Sequence, residues 1–338
     1  MKKLLNTLYI TRQESYLHKE RETIVIKQGD EKLGQFPALS LGGILCFGRV
    51  SVSPFLMGYC AENGIGIAFY TEYGRFLARV QGRQTGNVLL RRTQYRWADS
   101  SERSTDVARL IVAAKIANSR SVLQRELRNH GDNPALSAAA DRLAFSLRRA
   151  RTAKSVEEAR GIEGDAASSY FSVFDELLRG SGFAFGGRIR RPPTDPVNAL
   201  LSFVYSLVTQ ECVSALQGVG LDPYVGFLHK DRPGRASLAL DLLEEFRASW
   251  ADRFVLTLVN RRQVQPGDFV TEASGAVRLQ DDARKKLLTL YQERKQVELT
   301  HPYLQEQLPI GLLSHSQALL LARHLRGDTE YYTPYVVK

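Results

Sequence analysis

The spacing of apolar residues changes period once along this 338-residue chain, near Ser104, and that change limits the fold to a strand-rich part followed by a helical part. Upstream, LYIT, YLHKE, TIVIKQ, KLGQFPAL and GILCFG are short, alternating or β-branched, and Gly, Asp or Pro separates them, as in strands joined by tight turns. Ser53 to Asn63 (SPFLMGYCAEN) reads as the one helix among them, followed by IGIAFY as a buried strand and a turn at Glu72–Gly74. Downstream, residues 105–128 repeat Val107, Leu110, Ile111, Ala114, Ile116 and Leu123 on one stripe, and Asp141 to Ala153 resumes the helix after a Gly131–Pro134 break. Asp195 and Pro196 form an N-cap and first-turn pair that opens an apolar core helix running to about Gly218. An apolar helical run to Val259, a hairpin across Phe269–Leu279 with Ser274–Gly275 at its turn, a charged helix at Asp281–Glu298 and an amphipathic helix at Ser316–Leu325 follow. The expectation is an α+β chain: a β-rich, β-sandwich-like domain at residues 1–90, a linker at 91–103, and a larger all-α domain at 104–338. The closing TEYYTPYVVK reads as a flexible tail, or as tyrosines suited to an interface or to stacking on bases.

Composition narrows the chemistry. With 43% hydrophobic and 24% charged residues, the chain has the makings of roughly two cored domains and no disordered tract. Cys46, Cys60 and Cys212 each sit in an apolar run without CxxC spacing, which predicts buried thiols in a reducing compartment, the cytoplasm, rather than a disulfide or zinc framework. Asn6 and Thr7 break the apolar start MKKLLNTLYI before a signal peptide develops, and no stretch is expected to be long enough to span a membrane. The formal charge is +10, and from Arg75 to Arg128 twelve basic residues face four acids, with Arg91, Arg92 and Arg96 bunched. A second cluster, Arg188, Arg190 and Arg191, precedes Pro192 and Pro193. Such a balance suits a polyanionic partner, though ribosomal, secreted and membrane-surface proteins share it; guanidinium forks suit phosphate oxygens, so a surface gripping a phosphate backbone is the preferred reading over a solvated face. No GxxxxGK[ST], helix-opening GxGxxG or GxSxG occurs, which removes support for nucleotide-fuelled, dinucleotide and serine-hydrolase chemistries.

The candidate site centres on His229 to Arg247, HKDRPGRASLALDLLEEFR. Ser237 is placed to cap a helix beginning at Leu238, and three-residue spacing puts Asp241 and Glu244 on one face. His229 lies twelve residues before Asp241, with Pro233 and Gly234 able to turn the intervening loop so that the imidazole meets that face. Paired acids on a helix also suit a solvated face, and a lone imidazole also suits a packed interior. Glu163 (RGIEGDAASSYF) tips the balance: Gly161, Gly164, Ala166 and Ala167 around it predict close helix packing with a glutamate held inside. His18, His130, His301, His315 and His324 lack metal-ligand spacing and read as structural or exposed. One imidazole with carboxylates favours Mg²⁺ or Mn²⁺ over a closed zinc site.

These contexts together resemble the universal integrase family of CRISPR adaptation. The family's glutamate motif is similar to EGDAASSYF at Glu163, its histidine motif to LDPYVGFLH ending at His229, and its acidic helix to LDLLEEFR carrying Asp241 and Glu244. LLNTLYIT, GRVSVSP, NVLLRRTQY and DPVNALLSFVYSL extend the likeness over essentially the whole chain, while Ala236 and Ala248 stand where many relatives carry proline. The resemblance implies a metal triad of Glu163, His229 and Glu244, with Asp241 holding either a metal-bound water or His229. It implies DNA contacts from Tyr205 and Arg247 beside the basic clusters (Arg91, Arg92, Arg188, Arg191), with packing or charge neutralisation as the alternative role of these two, and Asn198 is expected as a hydrogen bonder one layer behind the site. It implies a homodimer through residues 1–90, a small ferredoxin-like second adaptation subunit as partner, double-stranded and branched DNA as substrates, and transfer of a 3′-hydroxyl to the leader–repeat boundary without ATP. The HKDRPGR loop hints at the type I-C branch. A structure-selective nuclease for branched DNA and a non-catalytic basic DNA-binding scaffold remain the alternatives.

Overall fold

The computed structural model describes residues 6–72, 76–80, 82 and 88–337. The first five residues, most of the expected turn at Glu72–Gly74, and Arg75 and Arg83 of the basic stretch lie outside these. The chain divides into two compact units.

The first unit carries β1 (Asn6–Ile10), β2 (Ser15–Glu20), β3 (Thr23–Gln28), β4 (Glu31–Pro37), β5 (Leu41–Phe47), β6 (Val50–Val52), helix α1 (Pro54–Glu62), β7 (Gly66–Tyr70) and β8 (Phe76–Val80). They form two four-stranded sheets, ordered β1-β5-β7-β8 and β4-β3-β2-β6. Alternation sets the register: Leu17 pairs with Ile26 on one side and Val52 on the other, and Ile44 pairs with Ile67. One hydrophobic cluster draws Leu17, Ile24, Ile44, Cys46, Leu56 and Ile67 from both sheets and α1, each large side chain contributing roughly 1.5–3 kcal/mol on burial. Both sheets mix parallel and antiparallel pairs. The parallel β5–β7 pair needs a crossover, and β6 with α1 supplies it. Ser53 caps α1 by accepting from the Leu56 amide.

The second unit holds α2 (Val88–Asp99), α3 (Ser101–His130), α4 (Pro134–Arg151), α5 (Val156–Phe171), α6 (Pro196–Gly218), α7 (Ser237–Glu244) and α8 (Arg253–Asn260), with a π turn at Arg247–Asp252 between the last two. A hairpin of β9 (Phe269–Thr271) and β10 (Val277–Leu279) follows, with Gly275 at φ 80° in its turn. Helix α9 (Asp281–Gln296) belongs to the first unit, and β11 (Glu298–Thr300), β12 (Gln307–Pro309) and α10 (Leu313–Arg326) complete the chain.

Four expectations are corrected. Residues 91–103 are not a linker: they lie in α2 and the start of α3, because NVLLRRTQYRWAD is itself a helical pattern. The part after residue 104 is not all-α, since two three-residue strand pairs interrupt it, too short for alternation to reveal β11 and β12. α6 does have the length and apolarity for a membrane span, at mean hydropathy 1.4, yet 67% of that window is buried inside the protein, as a core helix. Finally, TEYYTPYVVK is not a loose tail, because Tyr332 and Tyr335 are buried and only Tyr331 is well exposed.

Candidate metal-binding site

Three helices of the second unit meet at one lysine. Lys115, midway along α3, is 9% exposed, and its ammonium contacts Oε1 of Glu163 on α5 and, at 2.6 Å, Oε2 of Glu244 at the end of α7. An ammonium cannot be buried without carboxylate partners, so α3 draws the two glutamates together. By charge count alone Lys115 is one of the twelve basic residues between Arg75 and Arg128. The signal for it was present, since a lone lysine inside VAAKIA on the apolar face of a helix requires a buried acid elsewhere. Glu163 is partly exposed, and a Cβ built on Gly161 or Gly164 would meet nothing within 4 Å. The close packing expected of the glycines is therefore corrected: they leave the face around Glu163 open, and of the small residues beside it Ala166 is the buried one.

His229 reaches the same place by way of Asp241. The Asp241 carboxylate is wholly buried and accepts from the amides of Phe227 (2.6 Å), Leu228 (3.0 Å) and His229 (2.9 Å), and its Oδ1 lies 2.7 Å from Nδ1 of His229. One side chain thus shapes the loop and orients the ring it carries. Nε2 is left facing Oε1 of Glu244 at 3.8 Å. Gly226 is demanded by this packing, because a Cβ there would sit 2.9 Å from Oδ2 of Asp241 and from Ser237 atoms. Asp241 and Glu244 share a face, and it is buried rather than solvated. Ser237 does not cap α7. The amides of Leu238 and Ala239 donate to the Pro223 carbonyl, which leaves the Ser237 hydroxyl to donate to Lys230 O.

The charges are arranged to keep Glu244 ionised. Burial alone would raise its pKa, but Arg247, Lys115 and His229 more than offset it and hold the carboxyl well below the usual range. Burial works against the Arg247 charge too, and Glu244, reached by Nε at 2.9 Å, raises the guanidinium above its ordinary value. Arg247 opens the π turn, where Ala251 N donates to Phe246 O at 3.0 Å. Beyond it, burial pushes Asp252 up to about 6, with the Tyr205 hydroxyl and Arg247 pulling the other way.

Among the described residues, no three His, Cys, Asp or Glu side chains already form a metal-ligand group. The donors nonetheless fit a divalent cation. Two carboxylates from different helices converge on a positive charge, that of Lys115, and an oriented imidazole nitrogen faces one of them.

The family model described as CRISPR associated protein Cas1 matches residues 8–293. The chain belongs to the Cas1 family. CRISPR-associated endonuclease Cas1 1 of Chlorobaculum tepidum is 53% identical over 341 residues, covering 99% of each chain. CRISPR-associated endonuclease Cas1 2 of Rhodospirillum rubrum is 50% identical over 347 residues and covers all of both. A solved Cas1 protein from Thermotoga maritima, 27% identical, matches 96% of this chain and 98% of its own with a TM-score of 0.83.

In this Cas1 chain the residues expected to contact DNA fall into two groups. Arg92, Arg190 and Arg191 are exposed. The others are engaged by the protein: Arg91 Nε donates to Gly220 O at 3.1 Å, and Arg188 donates to Asn198 Oδ1 at 2.6 Å and Ser202 Oγ at 3.1 Å. Arg188 and Arg247 both lie over the ring of buried Tyr205, at 5.5 and 4.5 Å, and the Tyr205 hydroxyl donates to Asp252. Asn198 is fully buried but makes no contact with the three candidate ligands. It accepts from the Ile189 amide and donates to Gly187 O, so it shapes the segment that presents Arg188.

Proposed function

We propose that this chain is a metal-dependent DNA integrase and endonuclease that inserts short foreign duplexes into a CRISPR array as new spacers. The observation that carries the reading is the convergence of Glu163 and Glu244 on one buried cation, with the Nε2 atom of an Asp241-held imidazole facing the same carboxylate. Glu163, His229 and Glu244 would hold Mg²⁺ or Mn²⁺, which when bound supplies charge stabilisation at the phosphoryl and leaving oxygens. Asp241 fixes the ring with Nε2 outward, and Arg247 keeps Glu244 ionised. Lys115, released from Glu163, leaves a positive charge beside the phosphate. The 3′-oxygen of the incoming strand forms a bond to phosphorus as the target strand's 3′-oxygen leaves, and the proton lost by the first passes through water to the second. One phosphodiester replaces another, so neither ATP nor a covalent protein intermediate is required. The reverse reaction, and hydrolysis with water as nucleophile, make the same site a nuclease for branched DNA.

Insertion takes two such transfers on opposite strands at the two ends of a repeat, tens of base pairs apart at about 3.4 Å each. The reading therefore includes a homodimer through the strand-rich unit and a smaller second adaptation subunit that spaces two dimers. The test is a comparison of products. The chain alone, dimeric by light scattering, should resolve branched DNA in Mn²⁺ and stop in EDTA, and full-site insertion should appear only with the partner. Equal activity in chelator would contradict the metal reading, and a monomer or full-site products from this chain alone would contradict the assembly.

A further inference from the structure

Glu244, on which the candidate site turns, stands where the helical ladder changes pitch. Glu245 N donates to Leu242 O at 3.3 Å, Phe246 N to Leu243 O at 2.9 Å, and the π turn follows at once. The hydrogen-bond pattern of the helix thus changes directly after Glu244. The next residue, Glu245, is held by contacts from outside α7.

The segment Tyr332–Val337, with Gln317 of α10, supplies them. The Glu245 carboxylate, fully buried, accepts from the Tyr332 hydroxyl, from Tyr335 N at 2.7 Å and from Gln317 Nε2 at 2.8 Å. Asn118 grips both partners of that arrangement: Nδ2 donates to Glu245 O and to Tyr335 O, each at 2.9 Å, and Oδ1 accepts from Val337 N at 2.9 Å. Asn118 lies one turn beyond Lys115 on α3, and Glu245 adjoins Glu244. The same two helices thus present Lys115 and Glu244 to the candidate site and Asn118 and Glu245 to the segment behind it.

We propose that Tyr332–Val337 is a positioning brace for the candidate metal site, setting Glu244 relative to Lys115 and Glu163 through Glu245 and Asn118. The inference rests on the reading of Glu244 as a metal ligand. None of Asn118, Glu245, Gln317 or Tyr332 touches the reacting groups; they act through Glu244, as residues that orient ligands do. A packing role would show only in stability, whereas a brace shows in metal affinity.

The experiment uses the full chain with Tyr332→Phe and Glu245→Gln, and Tyr331→Phe as the neighbouring exposed control. Mn²⁺ binding is titrated by electron paramagnetic resonance without DNA, and duplex affinity by fluorescence anisotropy, with each variant shown to be folded at the working temperature. The expected result is a rise in the Mn²⁺ dissociation constant of at least about tenfold for either brace variant, duplex affinity within about twofold of the parent, and no change for the control. Both changes are small, one hydroxyl removed and one carboxylate made an amide, so a folded form of either is sufficient. Parental Mn²⁺ affinity in a folded brace variant would overturn the brace. Failure of the parent chain itself to bind Mn²⁺ would overturn the metal reading and the brace with it.

Discussion

His229 and Asp241 are joined twice, the imidazole Nδ1 at 2.7 Å and the backbone amide at 2.9 Å from the same Oδ1, so the position of the ring and the path of its loop have one cause. Asp241→Asn keeps the shape and gives up the charge that gathers these donors. It should cost about 1–3 kcal/mol of stability in denaturant unfolding, from the strained amide contacts. Mn²⁺ affinity should fall by about 10–100-fold as the ring loses its fixed orientation. Unchanged Mn²⁺ affinity would mean that Asp241 serves only the loop.

Lys115→Met should behave differently with and without metal. Removing the ammonium leaves Glu163 and Glu244 facing each other, and breaking a buried pair in this way costs about 3–5 kcal/mol. The variant should melt earlier than the parent in EDTA, and Mn²⁺ should raise its melting temperature by more than it raises the parent's, because a ligand selective for the folded state stabilises it. Differential scanning calorimetry in both buffers decides the matter; an equal Mn²⁺ increment in both proteins would refute it.

Asp252 predicts a pH dependence. Its pKa rises on folding from 3.8 to about 6, chiefly by burial. A carboxyl raised in the folded state contributes stability that is fully present below about pH 4 and is lost as pH rises through about 6, at most about 3 kcal/mol for a shift of this size. Glu245, pushed up to about 7 by burial, adds a slope of the same sign reaching higher pH. Asp252→Asn should flatten the lower part of that decline in urea unfolding between pH 4 and 6, and a parental slope in the variant would exclude Asp252 as its source.

DNA affinity should fall steeply with salt. Neutralising exposed Arg92 or Arg191 should weaken binding alike for unrelated sequences and reduce the salt slope by about one each, as expected for phosphate contacts. Arg91→Ala and Arg188→Ala should show a loss of stability as well, since both guanidiniums hold protein atoms. Anisotropy titrations across a salt series check both statements.

The sequence carried the strands, the helices and the His229–Asp241–Glu244 segment because each is a local pattern of apolar spacing, turn residues and a short motif. Asp241 beside His229 was legible for that reason. Three features were not. The partners of the buried lysine are one, since VAAKIA asks for a buried acid but Glu163 lies 48 residues away along the chain, which no window sees. The π turn that Arg247 opens has no composition of its own, since RASWAD reads as ordinary helix. The docking of Tyr332 and Tyr335 depends on Asn118 and Glu245, partners far away in sequence, so a tyrosine-rich end looked loose.

The most direct test of the central claim is single-turnover strand transfer of a short duplex into a repeat-bearing target in Mn²⁺, with the parent chain, Glu163→Ala, His229→Ala and Glu244→Ala, each shown to be folded by circular dichroism. The account predicts transfer by the parent and its loss in all three variants, with duplex binding largely retained. Near-parental transfer by any one folded variant would contradict the assignment of that residue and the three-ligand site with it.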